Sequence, residues 1–436
     1  MKQQKNKTAF KVVFAMMFAM LFLPMLNYKN IWLKELYLNG SESQTERPTW
    51  SAKSYFDGQY QDSFANFVSA KLPLRSYAIK AHNQILFSVF KYTTAAQVIV
   101  GKENYLYETP YLNAVNGNSY IGDAEIIKRS LKLQKIQNAL AKRNKKLLVL
   151  FAPGKASYFP EKIPNDFYKE RVKNNHSELI KAYQKHQISY IDFLSYFNEI
   201  KANSKFPLYG KYGIHWSQYG MSLAMDSALK KIAQEFNRKF AIKEKIKTEQ
   251  LNNYRFTDND VELALNLYFD LPKEQMAYRS FEWKENASSF KPNVLVVADS
   301  YWWLVHNNYI SKKIFNDYHF LYYNKSIYNF DQQLNIEITP QLISEYVNSS
   351  DLIILMATEA NDNWFPYGFD DILLNELANP SVAPVNNLKE EAIQLKMNEI
   401  KKDATWYASI VAKAEQNKTS TIEQLRADAI WMLQGH

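Results

Sequence analysis

The sequence predicts an α/β protein built on a layered parallel sheet with flanking helices. Three apolar runs carry that expectation: "KLLVLFAP" at 146–153, "NVLVVAD" at 293–299 and "DLIILMAT" at 351–358. Each is short and nearly continuous, the pattern of a strand buried on both faces. Elsewhere apolar residues recur at helical spacing, around 175–186 and from Trp216 to Phe236, where Met221, Met225, Leu229 and Ile232 fall on one stripe. Short buried strands alternating with amphipathic helices indicate a layered sheet.

Taken in order, the chain opens with Lys2, Lys5, Lys7 and Lys11 and no acid among them, followed by the apolar run "VVFAMMFAMLFLPML" from Val12 to Leu26. At ~1.5 Å per residue that run covers about 23 Å, and Phe10, a snorkelling Lys11 and Tyr28 extend it toward the ~30 Å hydrocarbon layer. Residues 1–28 therefore read as cytoplasmic lysines and a transmembrane anchor, with a cleaved signal peptide as the alternative. No small-x-small cleavage pattern follows Leu26. Lysines stay in the cytoplasm, which places the remainder of the chain outside it. Residues 29–50 read as a tether ending in "SESQTERPTW". From Tyr55 to Tyr92 helical spacing returns, with Pro73 as a break between two helices. "ISYIDF" after 187 reads as a further strand. The main domain is expected over 51–380. Beyond the loop "NPSVAPVNN", residues 387–436 read as a charged helical appendage, packed on that domain or held for a partner. There, Ser420 and Glu423 make a capping box, and Ile422, Leu425, Ala429 and Met432 form a stripe.

Composition narrows the function. Hydrophobic residues at 47% with only 11 glycines in 436 residues indicate a globular chain, not a disordered or fibrous one. The net charge of +9 owes four charges to the first eleven residues, and the rest is too dilute for a nucleic-acid footprint. The absence of cysteine removes thiol catalysis and disulfide or cysteine–zinc frameworks. No histidine pair has metal-ligand spacing and no glycine-rich phosphate cradle occurs, so neither a metal nor a cofactor is expected.

Two stretches bear chemistry. In "NVLVVADSYWW" a hydrophobic strand runs into Asp299 and Ser300, which puts a hydroxyl at the carboxyl edge where α/β sheets keep their ligands. In "GKYGIHWSQYG" His215 lies between a loop and a helix, and neutral imidazole is suited to taking a serine proton. The plain alternatives are a helix-capping serine and a structural histidine. Asn361 in "ATEANDNWF" follows a later strand, with Asn363 as a rival and a solvated turn as the bland reading. Trp216, Tyr301, Trp302 and Trp364 offer flat faces for sugar rings, against the alternative that they pack in the core. Lys155 and Arg75 would meet acidic groups or remain solvated.

Four stretches together resemble the SGNH-hydrolase-like domain of bacterial alginate O-acetyltransferases and their polysaccharide-acetylating relatives. They are "GKENYLYE" (101–108), "APGKASYFPEKIP" (152–164), "GIHWSQYG" (213–220) and "VVADSYWW" (296–303), in the permuted order of that family, over about residues 50–370. The resemblance implies Ser300 as nucleophile, His215 as its base and Asn361, or Asn363, as an amide donor to the oxyanion. It also implies a single-pass inner-membrane protein with its domain in the periplasm, a polysaccharide acceptor and a membrane-bound O-acyltransferase partner that delivers acetyl groups. Two positions depart from the pattern. Ala298 replaces a glycine of the serine block, a small change. Gly213 stands where the family has an aspartate that orients the imidazole. Asp192, Asp299 or Glu359 would supply a substitute carboxylate, a Ser–His dyad would do without one, or the site would be inactive. The readings are thus an O-acetyltransferase, an acetyl-ester hydrolase of the same fold, and a catalytically impaired polysaccharide-binding or assembly subunit.

Overall fold

The apolar runs form the centre of one sheet. In the computed structural model, which describes residues 2–30, 32–40, 46–169, 172–240, 242–284, 289–308, 310–379 and 388–434, the strands are β1 (Lys146–Ala152), β2 (Tyr190–Asp192), β3 (Val294–Ala298), β4 (Tyr318–Tyr322), β5 (Ser326–Tyr328), β6 (Gln333–Leu334) and β7 (Leu352–Thr358). Their order is β6-β5-β4-β3-β7-β1-β2. From β4 to β2 neighbouring strands run parallel; β5 and β6 continue the sheet antiparallel. The central strand β7 lies between β3 and β1, its register pairing Met356 with Ala298 and Thr358 with Ala152. Ala298 is also level with Tyr322 of β4. The carboxyl ends of β1, β3, β4 and β7 therefore finish side by side.

Burial explains why these runs lack alternation. Every residue from Leu352 to Ala357 is at most 1% exposed, because helices cover both faces. On one face the helices Asp123–Ala141, Asn175–Lys185, Pro340–Ser349 and Phe369–Ala378 pack Ile126, Leu133, Leu179, Leu342 and Leu373 against Val149, Val297 and Leu355. Elsewhere the helix Gln218–Phe236 buries Met221, Met225, Leu229 and Ile232, the stripe read from the sequence, and packs against the short helix Trp302–Asn307. The sequence reading did not anticipate β4 or an antiparallel ribbon, Ile242–Leu251 with Met276–Lys284. The ribbon's "KIKTEQL" and "RSFEWK" alternate charged with apolar residues, so no continuous run announces them.

Chain contacts separate two units: residues 1–100 with 259–272, and residues 101–258 with 273–436. Residues 51–100, grouped with the sheet by the sequence reading, fall in the first unit. That unit holds a helix Lys2–Asn30, in which Phe10–Tyr28 is long and apolar enough to cross a membrane. It also holds helices Gln59–Lys71 and Arg75–Phe90, separated around Pro73 as expected. Residues 41–45 of the tether and 380–387 of the late loop lie outside the described residues. The appendage is three helices, Glu390–Lys402, Ala404–Asn417 and Thr421–Leu433, with a core of Ile393, Ile400, Ile410, Leu425 and Ala429. It packs on the sheet domain. Glu391 accepts from Tyr346 at 2.9 Å and pairs with His319 at 3.0 Å, and Gln394 bonds the backbone of Glu337. The Ser420–Glu423 capping box is present. Ile422, placed on the apolar stripe by the sequence, is 68% exposed, because the buried face runs through Leu425 and Ala429.

Truncating the central strand tests the core. Leu355→Ala is expected to cost about 2–5 kcal/mol, read as a lower urea midpoint of the detergent-solubilised chain, whereas Ile422→Ala stays within about 0.5 kcal/mol.

Candidate active site

The site stands at the common carboxyl edge of β3, β7 and β4. β3 ends at Ala298, and the next residue, Asp299, turns back into the sheet. Its Oδ2 accepts from Thr358 N at 2.7 Å, Thr358 Oγ1 at 2.9 Å and Asn361 Nδ2 at 2.9 Å, and its Oδ1 accepts from Tyr301 N at 3.1 Å. This fully buried carboxylate fastens the end of β3 to the end of β7. Ser300 is left half-buried at the rim.

His215 reaches the same point from a distant segment. An isolated bridge between Tyr209 and Trp216 pins the loop that carries it, and Ser217 caps the following helix through Gly220 N at 2.9 Å. The imidazole is half-buried, and its Nε2 lies 2.9 Å from Ser300 Oγ. Tyr301, the residue after the serine, donates its hydroxyl to Ile214 O at 2.6 Å and sets its ring 4.7 Å from the imidazole. Serine and histidine segments are thus bonded directly to each other. Among hydrogen-bonded pairs of this type, 2.9 Å is within proton-transfer reach.

Tyr323, absent from the sequence reading, completes the surroundings of Ser300. It sits in the turn between β4 and β5 at φ 51°, and its hydroxyl accepts from Asn361 Nδ2 at 3.4 Å. Burial and the charge of Asp299 push its phenol up, so it stays a donor at neutral pH. The one signal in the sequence is "LYYNKSIY", a hairpin turn after an aromatic strand. Asn361 lies beside it, with one amide proton committed to Asp299 and its Oδ1 accepting from Trp364 Nε1 at 3.1 Å. Trp364, 39% exposed, stacks on Tyr323 with centroids 5.1 Å apart.

Three aromatic expectations are corrected. Trp216, Tyr301 and Trp302 are at most 1% exposed and present no face to a sugar. Trp216 packs on Phe193, Phe197 and Tyr301, and Trp302 donates to Tyr318 Oη at 2.7 Å. The carboxylates nominated to support His215 are bonded elsewhere. Asp299 holds β7. Asp192 caps the helix Phe193–Ile200 and lies 3.2 Å from His176 Nε2. Glu359 accepts from Gly154 N at 3.0 Å and from Ser157 Oγ.

Gly213 admits no side chain. A Cβ there would lie 2.2 Å from Thr257 O and 2.8 Å from Asp258 O. The backbone of 257–258 fills the space in which the expected aspartate would stand. Lys155, read as solvated, is fully buried near this loop.

A second buried polar cluster borders the edge. His176 faces Asp192, Asp362 at 3.7 Å from Nδ1, and the charge of Glu359. Burial opposes its charge, but these carboxylates raise its pKa well above 6.5. Burial likewise raises Glu359 and Asp362; at Asp192 burial also pushes upward, but the hydrogen bond and charge of His176 and the hydrogen bonds from Ser195 together bring it below the ordinary value.

Residues 98–284 match the family model of the SGNH hydrolase-like domain of acetyltransferase AlgX. Over that stretch, which includes His215 and ends before Ser300, the chain is similar to that domain. Among solved structures, the O-acetyltransferase domain of Pseudomonas putida AlgJ is 12% identical, with 65% of this chain and 99% of that one covered at TM-score 0.44. Pseudomonas aeruginosa AlgX is 13% identical, with 65% and 68% covered at 0.44, and Bacillus cereus PatB1 is 13% identical, with 61% and 96% covered at 0.39. No curated protein sequence matches the chain.

Two outcomes follow from this geometry. Restoring the family residue with Gly213→Asp is expected to lower both the melting temperature and turnover, because the new carboxylate collides with the 257–258 backbone; higher turnover would overturn the account of that glycine. His176 keeps its proton in the folded chain after the unfolded chain has lost it. Its stabilisation is complete below the ordinary pKa of 6.5 and declines as pH rises through the raised value. Unfolding free energy is expected to fall above pH 6.5 by up to about 1.4 kcal/mol per pH unit. Urea titrations at several pH values should show that slope flattened in His176→Gln/Asp362→Asn.

Proposed function

We propose that the chain is an exported, membrane-anchored O-acetyltransferase that moves acetyl groups onto hydroxyls of a cell-envelope or extracellular polysaccharide, with Ser300 as nucleophile and His215 as general base. The observation that carries this reading is the 2.9 Å contact between His215 Nε2 and Ser300 Oγ at an open sheet edge. Ser300 Oγ attacks the acetyl carbonyl carbon while His215 Nε2 takes its proton. The tetrahedral intermediate expels the donor's alcohol or thiol, which receives that proton, and leaves acetyl-Ser300. A sugar hydroxyl then attacks the ester, gives its proton to His215, and departs acetylated as the proton returns to Ser300. The Tyr323 hydroxyl and the Asn361 amide are the donors assigned to the oxyanion of both intermediates.

Three further features support the reading. Trp364, half-exposed and stacked on Tyr323, supplies an aromatic face next to the nucleophile, suited to the C–H face of a sugar ring. The span Phe10–Tyr28 with lysines before it orients the domain outward, into the periplasm of a bacterium. Acetyl groups made in the cytoplasm then need a carrier across the bilayer, for which a membrane-bound O-acyltransferase is the fitting partner.

The detergent-solubilised chain is tested with an acetyl-ester probe, with and without oligosaccharide acceptor. Acetylated oligosaccharide should accumulate, and Ser300→Ala and His215→Ala should each cost about 10³-fold or more in kcat. Free acetate without acetylated sugar identifies a hydrolase. Equal turnover by Ser300→Ala and the native chain ends the serine reading and leaves a binding subunit.

A further inference from the structure

Lys155 follows β1 in "APGKASY" and is 0% exposed. A lysine seldom goes fully inside unless its charge is matched by groups that justify the desolvation. Here the ammonium donates to two backbone carbonyls, Gly213 O at 2.6 Å and Lys211 O at 2.8 Å, and lies 5.8 and 5.7 Å from the rings of Tyr105 and Tyr107. Both carbonyls belong to the loop that delivers His215.

The other fastenings of that loop define what Lys155 adds. Lys211 O also accepts from Leu106 N at 3.1 Å, and Lys211 N donates to Glu274 Oε1 at 2.5 Å. Ile214 O accepts from Tyr301 Oη at 2.6 Å. Between these points lies Gly213, which has no side chain and whose φ/ψ is the least restricted of any residue. The bond from Lys155 fixes its carbonyl, and with it the peptide plane leading through Ile214 to the imidazole.

We propose that Lys155 is a positioning residue for acyl transfer: its buried ammonium holds the Lys211 and Gly213 carbonyls and so aims His215 at Ser300. The proposal rests on the Ser300–His215 reading. Burial is what makes the arrangement rigid, since no water competes for the two carbonyls.

The test is steady-state turnover of the acetyl-ester probe by the full-length, detergent-solubilised Lys155→Met, well below its melting temperature and beside Ser300→Ala. Displacing the imidazole by a fraction of an ångström should lower kcat about 100-fold with KM held within about threefold. A kcat close to native while Ser300→Ala is inactive overturns the proposal, even if the melting temperature drops, because the lysine then only stabilises the fold. A raised KM with native kcat also overturns it, in favour of a substrate contact. Turnover by Ser300→Ala instead removes the serine reading itself. Should Lys155→Met fail to fold, Lys155→Gln, which offers N–H donors on a shorter stem, is measured in its place. A fall of about tenfold or more in kcat at constant KM supports the proposal, and native kcat overturns it.

Discussion

The site depends on one buried carboxylate. Asp299 accepts four hydrogen bonds, three of them from Thr358 and Asn361, so the strand that carries the serine cannot slide against its neighbour. The register that pairs Met356 with Ala298 places donors and acceptor level with one another. A shift of one residue would leave a buried carboxylate without partners, a severe cost in a low-dielectric interior. That penalty fixes where Ser300 emerges. The backbone turn at Asp299 then points Tyr301 toward Ile214, and the Tyr301 hydroxyl draws in the histidine segment. Serine and histidine, 85 residues apart in the chain, meet because a carboxylate and a phenol each demand a partner.

How much of this was legible in the sequence differs by residue type. The strands at 146–152, 294–298 and 352–358 were readable because burial on both faces leaves an unbroken apolar run. The pairing of Ser300 with His215 was readable because their segments carry recognisable chemistry at a strand end and a helix start. The ribbon was not, since an exposed strand dilutes its apolar residues with charged or polar ones, and β4, a buried run of five residues rich in aromatics and broken by His319, went unread. Trp216, Tyr301 and Trp302 were misread because an aromatic beside a strand has the same pattern whether it faces the cleft or the core. Asp192 and Glu359 were misassigned for a related reason: spacing places a carboxylate at the sheet edge but does not say on which side of β1 it points. Lys155 was hidden by its type, as lysine is buried so rarely that solvation is the natural expectation.

Gly213 changes meaning once the structure is known. Read alone, it is a missing catalytic acid. In the fold it is the point where residues 257–258 cross the histidine loop so closely that no Cβ fits. The loss of the acid and the close crossing are one feature, because a carboxylate at 213 and a backbone at 257–258 cannot occupy the same space. The loop that carries the histidine is fastened through its backbone. There, Lys155, Tyr301 and Glu274 each bond a main-chain group between 211 and 214.

Several buried polar groups gather at one edge of the sheet. Asp299, Glu359, Asp362, His176 and Lys155 are all buried, and all follow or face the carboxyl ends of the parallel strands. Stability alone does not favour the pattern, since apolar side chains of similar volume would bury more cheaply than charges. Burial pushes Glu359 and Asp362 upward, the signature of groups held against their preference. Such groups gather where a fold needs fixed dipoles and fixed geometry. Asn361 links the two sets: it donates to Asp299 beside the nucleophile, and it lies in the chain between Glu359 and Asp362 of the His176 cluster. The short helical turn Glu359–Asn361 is therefore held at both ends, at Asn361 by the carboxylate beneath the serine and at Glu359 by Gly154 N and Ser157 Oγ.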